Sequence, residues 1–380
     1  MKYAIKILSI ILVLFSCNSE PKKEEPAQKQ MAFGAVAPEI SYMPNGDTVV
    51  WTQTTKTFSY PVWTKTIKPK ATTTTPVPVP TGTKYLSLAV SGPLDYSGKS
   101  NVIIENKRIT NASGVALKLY SGANNITIRN CFFDGATGEL VELENATNIT
   151  IENCLFARGL AGVYAVGSKG IIIRNCQFVN MRARYVNGGF AGRGVFAQFN
   201  SCSDMQVIDC KGENFQNESD PEDMISFFSS SNGVVKNNIF RGGGPSTSGG
   251  GIIMGDNGGN NVVAENNTLM NPGQYGMAIA GGTNMKILNN KIYSEKLPWS
   301  NNPLYVWAQG NQVGISNNAT ITGNRVNWTD KNGSINNGWN AGNIANTVWQ
   351  APTTITLAEM NMPAHLITFV TEAELLTIRK

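Results

Sequence analysis

Histidine is almost absent from this chain: one residue, His365, serves all 380 positions. Ser-His-Asp, Cys-His and His–metal chemistry therefore has no place upstream of the C-terminal stretch. Charge is scarce as well. Asp, Glu, Lys and Arg make up 15% of the residues and the formal net charge is +5, or +3 once Lys2 and Lys6 leave with a signal segment. That is too little to hold nucleic acid. Long apolar runs are missing too, because the one candidate, residues 7–15, is too short to span a bilayer. Catalysis, if any, is left to carboxylates, Lys, Arg and Tyr.

What is abundant is glycine, with 38 residues, and a returning phrase: alternating apolar residues, then Asn, then Cys or Asn, then another apolar residue. It reads Ile126-Thr127-Ile128-Arg129-Asn130-Cys131-Phe132, and again Ile149-Thr150-Ile151-Glu152-Asn153-Cys154-Leu155. The first Asn of each phrase gives register marks at Asn106, Asn130, Asn153, Asn175, Asp209, Asn237, Asn266, Asn289 and Gly323, spaced 22 to 34 residues apart. A repeat of that length is a solenoid. Alternation within each phrase puts one side in a core, leaving Thr127, Arg129, Glu152 and Lys236 on a solvated outer face. Asn suits the left-handed bend that ends each strand, and its amide can bond the equivalent amide one coil above. The next position is Cys in four coils (Cys131, Cys154, Cys176, Cys210) and Asn in four later ones (Asn238, Asn267, Asn290, Asn324). Stacked strands bring such residues within disulfide range, but their side chains point the same way, so buried free thiols are expected rather than disulfides. No second ligand type accompanies the column to make a metal site.

The phrase, from about residue 102 to 326, resembles that of the right-handed parallel β-helix superfamily, the pectate-lyase-like fold. The resemblance implies an all-β fold: a single-stranded right-handed parallel β-helix solenoid of about nine coils with capping extensions. That superfamily includes polysaccharide lyases, glycoside hydrolases, epimerases, esterases, phage tailspikes and adhesins, so the fold leaves function open. The Gly-His-Gly of β-helix galacturonases is not present.

The solenoid is expected over residues 85–326, as one domain with extensions. Residues 1–17 read as a signal peptide, with Leu14-Phe15-Ser16-Cys17 resembling a lipobox and Cys17 as the lipidated residue. Residues 18–30, polar and rich in Lys, Glu and Pro, form a disordered tether. Within it, Lys23-Glu24-Glu25 resembles a tag that places lipoproteins on the outer surface of some Gram-negative bacteria. The expected location is thus the outer membrane, surface-exposed or periplasmic, with the lipid as the membrane contact. Residues 31–84 combine an extension, either strand-rich or lying along the solenoid, with a Thr/Pro linker favouring extended backbone. Residues 85–100 are expected to cap one end, and residues 327–380, with a helix near 372–379, the other.

Inserted loops on a regular scaffold tend to carry function. Three precede the same strand of successive coils, at residues 182–194, 217–223 and 241–251, so stacking places them side by side. This predicts an acidic cluster of Asp220, Glu222, Asp223 and Asp256, flanked by Arg193 and Arg241, beside glycines that let a ligand approach the backbone. Tyr275 leads into the next coil. Outward Gln198, Asn200 and Trp307, with Tyr164, Phe228 and Tyr305, offer amides and aromatic faces to sugar rings. Two chemistries fit. In one, Asp220, Glu222 and Asp223 hold Ca²⁺, which neutralises a uronate while an Arg, Lys or Tyr removes the C5 proton, the logic of β-helix polysaccharide lyases acting on acidic polysaccharides. In the other, Glu222 or Asp223 works with Asp256 as acid and base on a glycosidic bond. A third account makes the carboxylates structural partners of Arg193 and Arg241, and a non-catalytic glycan-binding or adhesin-like protein would use the same groove for binding alone.

Overall fold

The computed structural model describes residues 39–42, 48–54, 62–68, 84–181, 195–219, 221–244 and 249–380. The chain divides into two compact units, Met1–Thr75 and Pro76–Lys380. In the first, Glu39–Tyr42, Thr48–Thr54 and Val62–Lys68 form an antiparallel sheet in chain order. The expected signal, tether, lipidation site Cys17 and most of the Thr/Pro linker lie outside the described residues, as do Arg193, Asp220 and the loop stretches 182–194 and 245–248. Among the described residues no helix is long and apolar enough to cross a membrane.

The second unit is the solenoid. Each coil lays down three short strands, seen in Asn124–Arg129, Phe132–Ala136 and Val141–Glu144, before Thr147–Glu152 pairs parallel with Asn124–Arg129 and starts the next turn. The coil thus has three faces. The first carries the strands that end at the Asn marks, the second the strands just after them, and the third the strands that follow. The second face is an 11-stranded sheet, while the first and third join into one of 19 strands.

Alternation in the phrases becomes stacking. Ile104, Ile128, Ile151, Ile173 and Val207 pair rung on rung and are buried. On the second face Phe133, Phe156 and Phe178 stack with ring centroids 4.9 and 4.8 Å apart. The next residue in that column is Gly212, where an added Cβ would lie 2.4 Å from the Phe196 ring. Phe196 comes from the third face and supplies the missing ring, 5.2 Å from Phe178 and 5.3 Å from Phe240.

Every register mark has positive φ, from 48° at Asn175 to 68° at Gly323. Asn relieves the strain of this conformation, which costs other side chains more. From Cys131 to Asn324 the position after it is one continuous buried column. The four cysteines are free thiols, each donating to the carbonyl two residues back, as Cys154 Sγ does to Glu152 O at 3.3 Å. From Cys210 onward the column is an amide ladder. The Nδ2 groups of Asn238, Asn267 and Asn290 donate to the Oδ1 of the next Asn at 2.9, 3.0 and 3.1 Å. A second left-handed Asn ladder, outside the repeating phrase, opens the first-face strands, with Asn232, Asn261 and Asn284 each donating one rung back.

The ends differ from expectation. Residues 85–100, expected to cap one end, do not form a separate cap throughout, because Val90–Ser91 and Leu94–Asp95 already pair with the following coil. At the other end Trp339–Asn340, Val348–Trp349 and Thr353–Thr354 add a further coil. The stack therefore reaches eleven strands where the phrase counted about nine, since these coils pair through backbone without the apolar-Asn signature. The expected final helix is present at Glu372–Ile378, with a Thr371–Glu374 capping box. The segment that carries it does not stay at the far end. It runs back along the second face as a strap, meeting Arg325 through Glu359, Arg241 through Pro363 and Ala364, Gln177 through Thr368, and Glu218 through Arg379.

Candidate functional site on the third face

The third-face strands stack Ser226, Ile253, Ala278, Tyr305 and Trp339 in one outward column. Along it lies a cleft of 370 Å³. Glu222 and Asp223 enter it just ahead of the strand Ile225–Lys236, and Asp256 comes from Ile252–Asn260. Tyr275, Tyr305, Trp307 and Trp339 form its aromatic wall, with Gln274, Asn301, Asn302 and Gln309 as amides.

Asp256 is there because of a bulge. Ser226 pairs with Ile253 but Phe228 pairs with Asp256, so one extra residue sits on the later strand. Gly255 absorbs it at φ 73°, with an added Cβ 2.0 Å from the Gly281 carbonyl. Without the extra residue, position 255 would face out and Asp256 would turn toward the core.

Asp223 is 7% exposed. Its Oδ1 accepts from the Tyr275 hydroxyl and from the Gly250 N–H at 3.0 Å. Burial raises its pKa well above the ordinary 3.8, and the neighbouring Glu222 charge adds to the rise; the two donors pull the other way without reversing it. The Tyr275 hydroxyl is also raised, by burial first and then by Asp223. Tyr305 is raised by burial and by the Asp223 and Asp256 charges. Both donors engage Oδ1, which leaves Oδ2 as the oxygen to carry a proton when Asp223 is in its acid form. The aromatic wall is partly open: Trp307 and Trp339 are 43% and 45% exposed with centroids 5.7 Å apart, and Tyr275 meets Tyr305 edge-on at 5.1 Å.

Of the residues predicted from sequence, the structure gathers Glu222, Asp223, Asp256, Tyr275 and Trp307. It does not bring Arg241. That guanidinium lies on the second face, bonded to Glu213 at 3.2 Å and to the Pro363 and Ala364 carbonyls of the strap. The expected pairing of Arg241 with the acidic cluster is therefore corrected, because residue 241 ends a second-face strand. Gln198 and Asn200 share the third face but lie outside the cleft, in a chain from Gln198 Nε2 to Asn200 Oδ1 (3.1 Å) and from Asn200 Nδ2 to the Tyr164 hydroxyl (2.7 Å). The glycines 249–251 serve packing: a Cβ on Gly249 would lie 1.9 Å from the Glu222 carbonyl, and one on Gly250 would strike the Tyr275 ring. Protein, not ligand, is what approaches them. Among the described residues no three acidic, His or Cys side chains converge to hold a metal ion. Of the residues expected to hold Ca²⁺, Asp223 is engaged through Oδ1 and Asp220 lies outside the described residues.

Trp339 was hidden in a segment assigned to the cap. Its signal was spacing: Trp339 follows Tyr305 by 34 residues, the interval between the last two register marks.

All-parallel coils with three strands per turn and an inward ladder of aliphatic, aromatic and Asn residues define a parallel β-helix. The chain belongs to the right handed beta helix region family, whose model matches residues 91–211 and 121–292, more than half of its length. No curated protein matches it. Similar solved structures include the pre-mature gene product 12 of bacteriophage phi29 (TM-score 0.47, 14% identity, covering 70% of this chain and 37% of that one). PfbA, a surface adhesin of Streptococcus pneumoniae, gives 0.44 and 11%, covering 64% and 65%. An alginate lyase from Paenibacillus sp. str. FPU-7 gives 0.49 and 14%, covering 70% and 97%. The chain spans little more than a third of the phage protein and just under two thirds of the adhesin. These likenesses concern the fold alone.

Proposed function

We propose that the third-face cleft binds a neutral glycan and cleaves a glycosidic bond by general acid–base catalysis. The observation that carries this is Asp223, a buried carboxyl whose pKa is raised well above the ordinary carboxylate range, beside two further carboxyls in an aromatic-walled cleft. Asp223 Oδ2 gives its proton to the leaving oxygen. Glu222 or Asp256 acts from the same cleft on water or on the anomeric carbon. Trp307 and Trp339 stack on sugar rings, and the amides Gln274 and Gln309 meet their hydroxyls.

Calcium-assisted elimination on an acidic polysaccharide is the weaker reading. It needs a cation to neutralise the uronate, and the described lining carries three carboxyls with no Lys, Arg or His; its candidate bases are Tyr275 and Tyr305, whose hydroxyls burial holds above their ordinary pKa. A binding protein without catalysis would rely on Trp307 and Trp339 alone. The resemblance of residues 14–17 to a lipobox supports a lipid anchor on Cys17 at an outer membrane, and Cys17→Ser should move the protein from the detergent-rich to the aqueous phase.

The test incubates the purified full chain with neutral and uronate-containing polysaccharides and follows reducing ends and absorbance near 235 nm. Reducing ends from a neutral glycan, falling about 10²–10⁴-fold in Asp223→Asn and insensitive to chelator, support the proposal. Absorbance gain on a uronate polymer would replace it with the lyase. Binding that Trp307→Ala and Trp339→Ala abolish, with no cleavage, would replace it with the binding protein.

A further inference from the structure

The third-face cleft has two unlike ends. Glu222 and Asp223 stand at one, just ahead of the strand Ile225–Lys236, and Trp339 stands at the other, on the strand Trp339–Asn340 of the last coil. No described residue from a coil before Glu222 lines it. The strands between the two ends pair in four steps, from Ser226 through Ile253, Ala278 and Tyr305 to Trp339. At about 4.8 Å a step, the cleft runs on from the acid for about 19 Å, in one direction along the solenoid.

What lies along that run suits the faces of sugar rings. Ile253 lines the floor and packs with Tyr275, Ala278 and Tyr305 in one apolar cluster. Trp307 and Trp339 follow at the far end, tilted by 55° to each other, so they offer two platforms and not one flat surface. Both keep nearly half of their surface in water. Burial that incomplete stabilises the fold little for side chains of this size, which leaves their faces for a ligand. Gln309 and Asn302 stand beside them as amides.

On the reading of this cleft as a glycan site, we propose that it selects its ligand by chain length, holding about four sugars on one side of Asp223 with Trp339 as the far anchor. A pyranose ring in an extended chain advances by about one strand spacing, so a chain lying along the cleft meets about one ring per rung. A disaccharide placed at Asp223 ends before the two indoles and forgoes their stacking. A chain of about four sugars or more gains both platforms. Because the platforms lie on one side of the acid, the bond next to Asp223 falls near one end of a short chain.

The experiment gives the full chain laminari-, cello- and malto-oligosaccharides of two to six sugars and follows both cleavage and calorimetric affinity. On a series that is cut, kcat/KM should rise about tenfold or more from the disaccharide to the tetrasaccharide and then level off. The hexasaccharide should lose one or two sugars from the same end each time. Trp339→Ala should raise KM for the hexasaccharide about three- to tenfold, more than it lowers kcat, and Trp339→Tyr should restore most of the loss. Equal kcat/KM along the ladder overturns the proposal. So does cleavage spread over all internal bonds, or a Trp339→Ala effect as large on the disaccharide as on the hexasaccharide. If no series is cut, the acid–base reading fails and affinity decides the length selection. Affinity that climbs to the tetrasaccharide and is flattened by Trp339→Ala upholds it, while a flat ladder or no binding overturns it.

Discussion

At the scale of single residues, Asp223 joins stability to chemistry. Its folded pKa is raised above the ordinary 3.8. Its contribution to stability is therefore full below 3.8 and is lost as pH rises through the folded value, because the unfolded chain gives up the proton that the fold retains. Asp223→Asn keeps an acceptor for Tyr275 and Gly250 and removes the ionisation. Melting curves from acid to alkaline pH should show the variant gaining on the wild type as pH rises. The Tyr275 hydroxyl works against the upward shift. Tyr275→Phe should push the Asp223 pKa further up and carry the alkaline limb of the pH–rate profile with it, whereas a purely structural tyrosine would leave that limb in place. Residue types alone placed Glu222, Asp223 and Asp256 in one cluster. The protonation state could not be read there, because it depends on burial by Tyr275, Tyr305 and the glycine stretch from neighbouring coils.

At the scale of elements, the two Asn ladders make a controlled comparison. Asn267 is buried and accepts from both the backbone N–H and the Nδ2 of Asn238, while donating to Asn290. Asn267→Ala leaves those groups without partners, at about 1–3 kcal/mol for each buried group. Asn261 sits in the exposed ladder with φ 56°, so Asn261→Ala should cost only about 1 kcal/mol of backbone strain, and Asn261→Gly less. Urea denaturation of the three variants measures this order. Phe156 lies in the middle of the ring stack, between Phe133 and Phe178, and Phe156→Ala should cost about 3–5 kcal/mol. The ladders and stacks were legible because each rung repeats in sequence. The bulge at Gly255 and the replacement of a Gly212 side chain by Phe196 were not, since each breaks the period in one coil and is repaired by a residue from another face.

At the scale of the whole molecule, the strap is the least anticipated feature. It covers Phe132, Leu155 and Val179 on the second face with Leu366, Ile367, Leu375 and Ile378. Each such side chain is worth about 1.5–3 kcal/mol on burial. A chain ending at residue 356 should therefore melt well below the wild type. The cleft lies on a different face and takes its walls from coils that the truncation leaves whole, so kcat/KM measured well below the melting transition should persist. Loss of activity in a truncated chain that is still folded would show that the strap reaches the site.

By itself the sequence determined the coil. The repeating alternation, the Asn marks and the Cys-to-Asn column are local signals that recur every turn, and parallel stacking adds them up in register. It also brought three of the carboxyls together, since insertions before equivalent strands must share an edge. Only the tertiary structure decided which side chains face one another across coils and faces. Arg241 went to the strap and not to the acidic cluster, and Trp339 joined the cleft from a coil without the phrase. Those outcomes depend on bulges, on which face a strand end occupies and on where a non-repeating segment lies down, and none of these has a period to read.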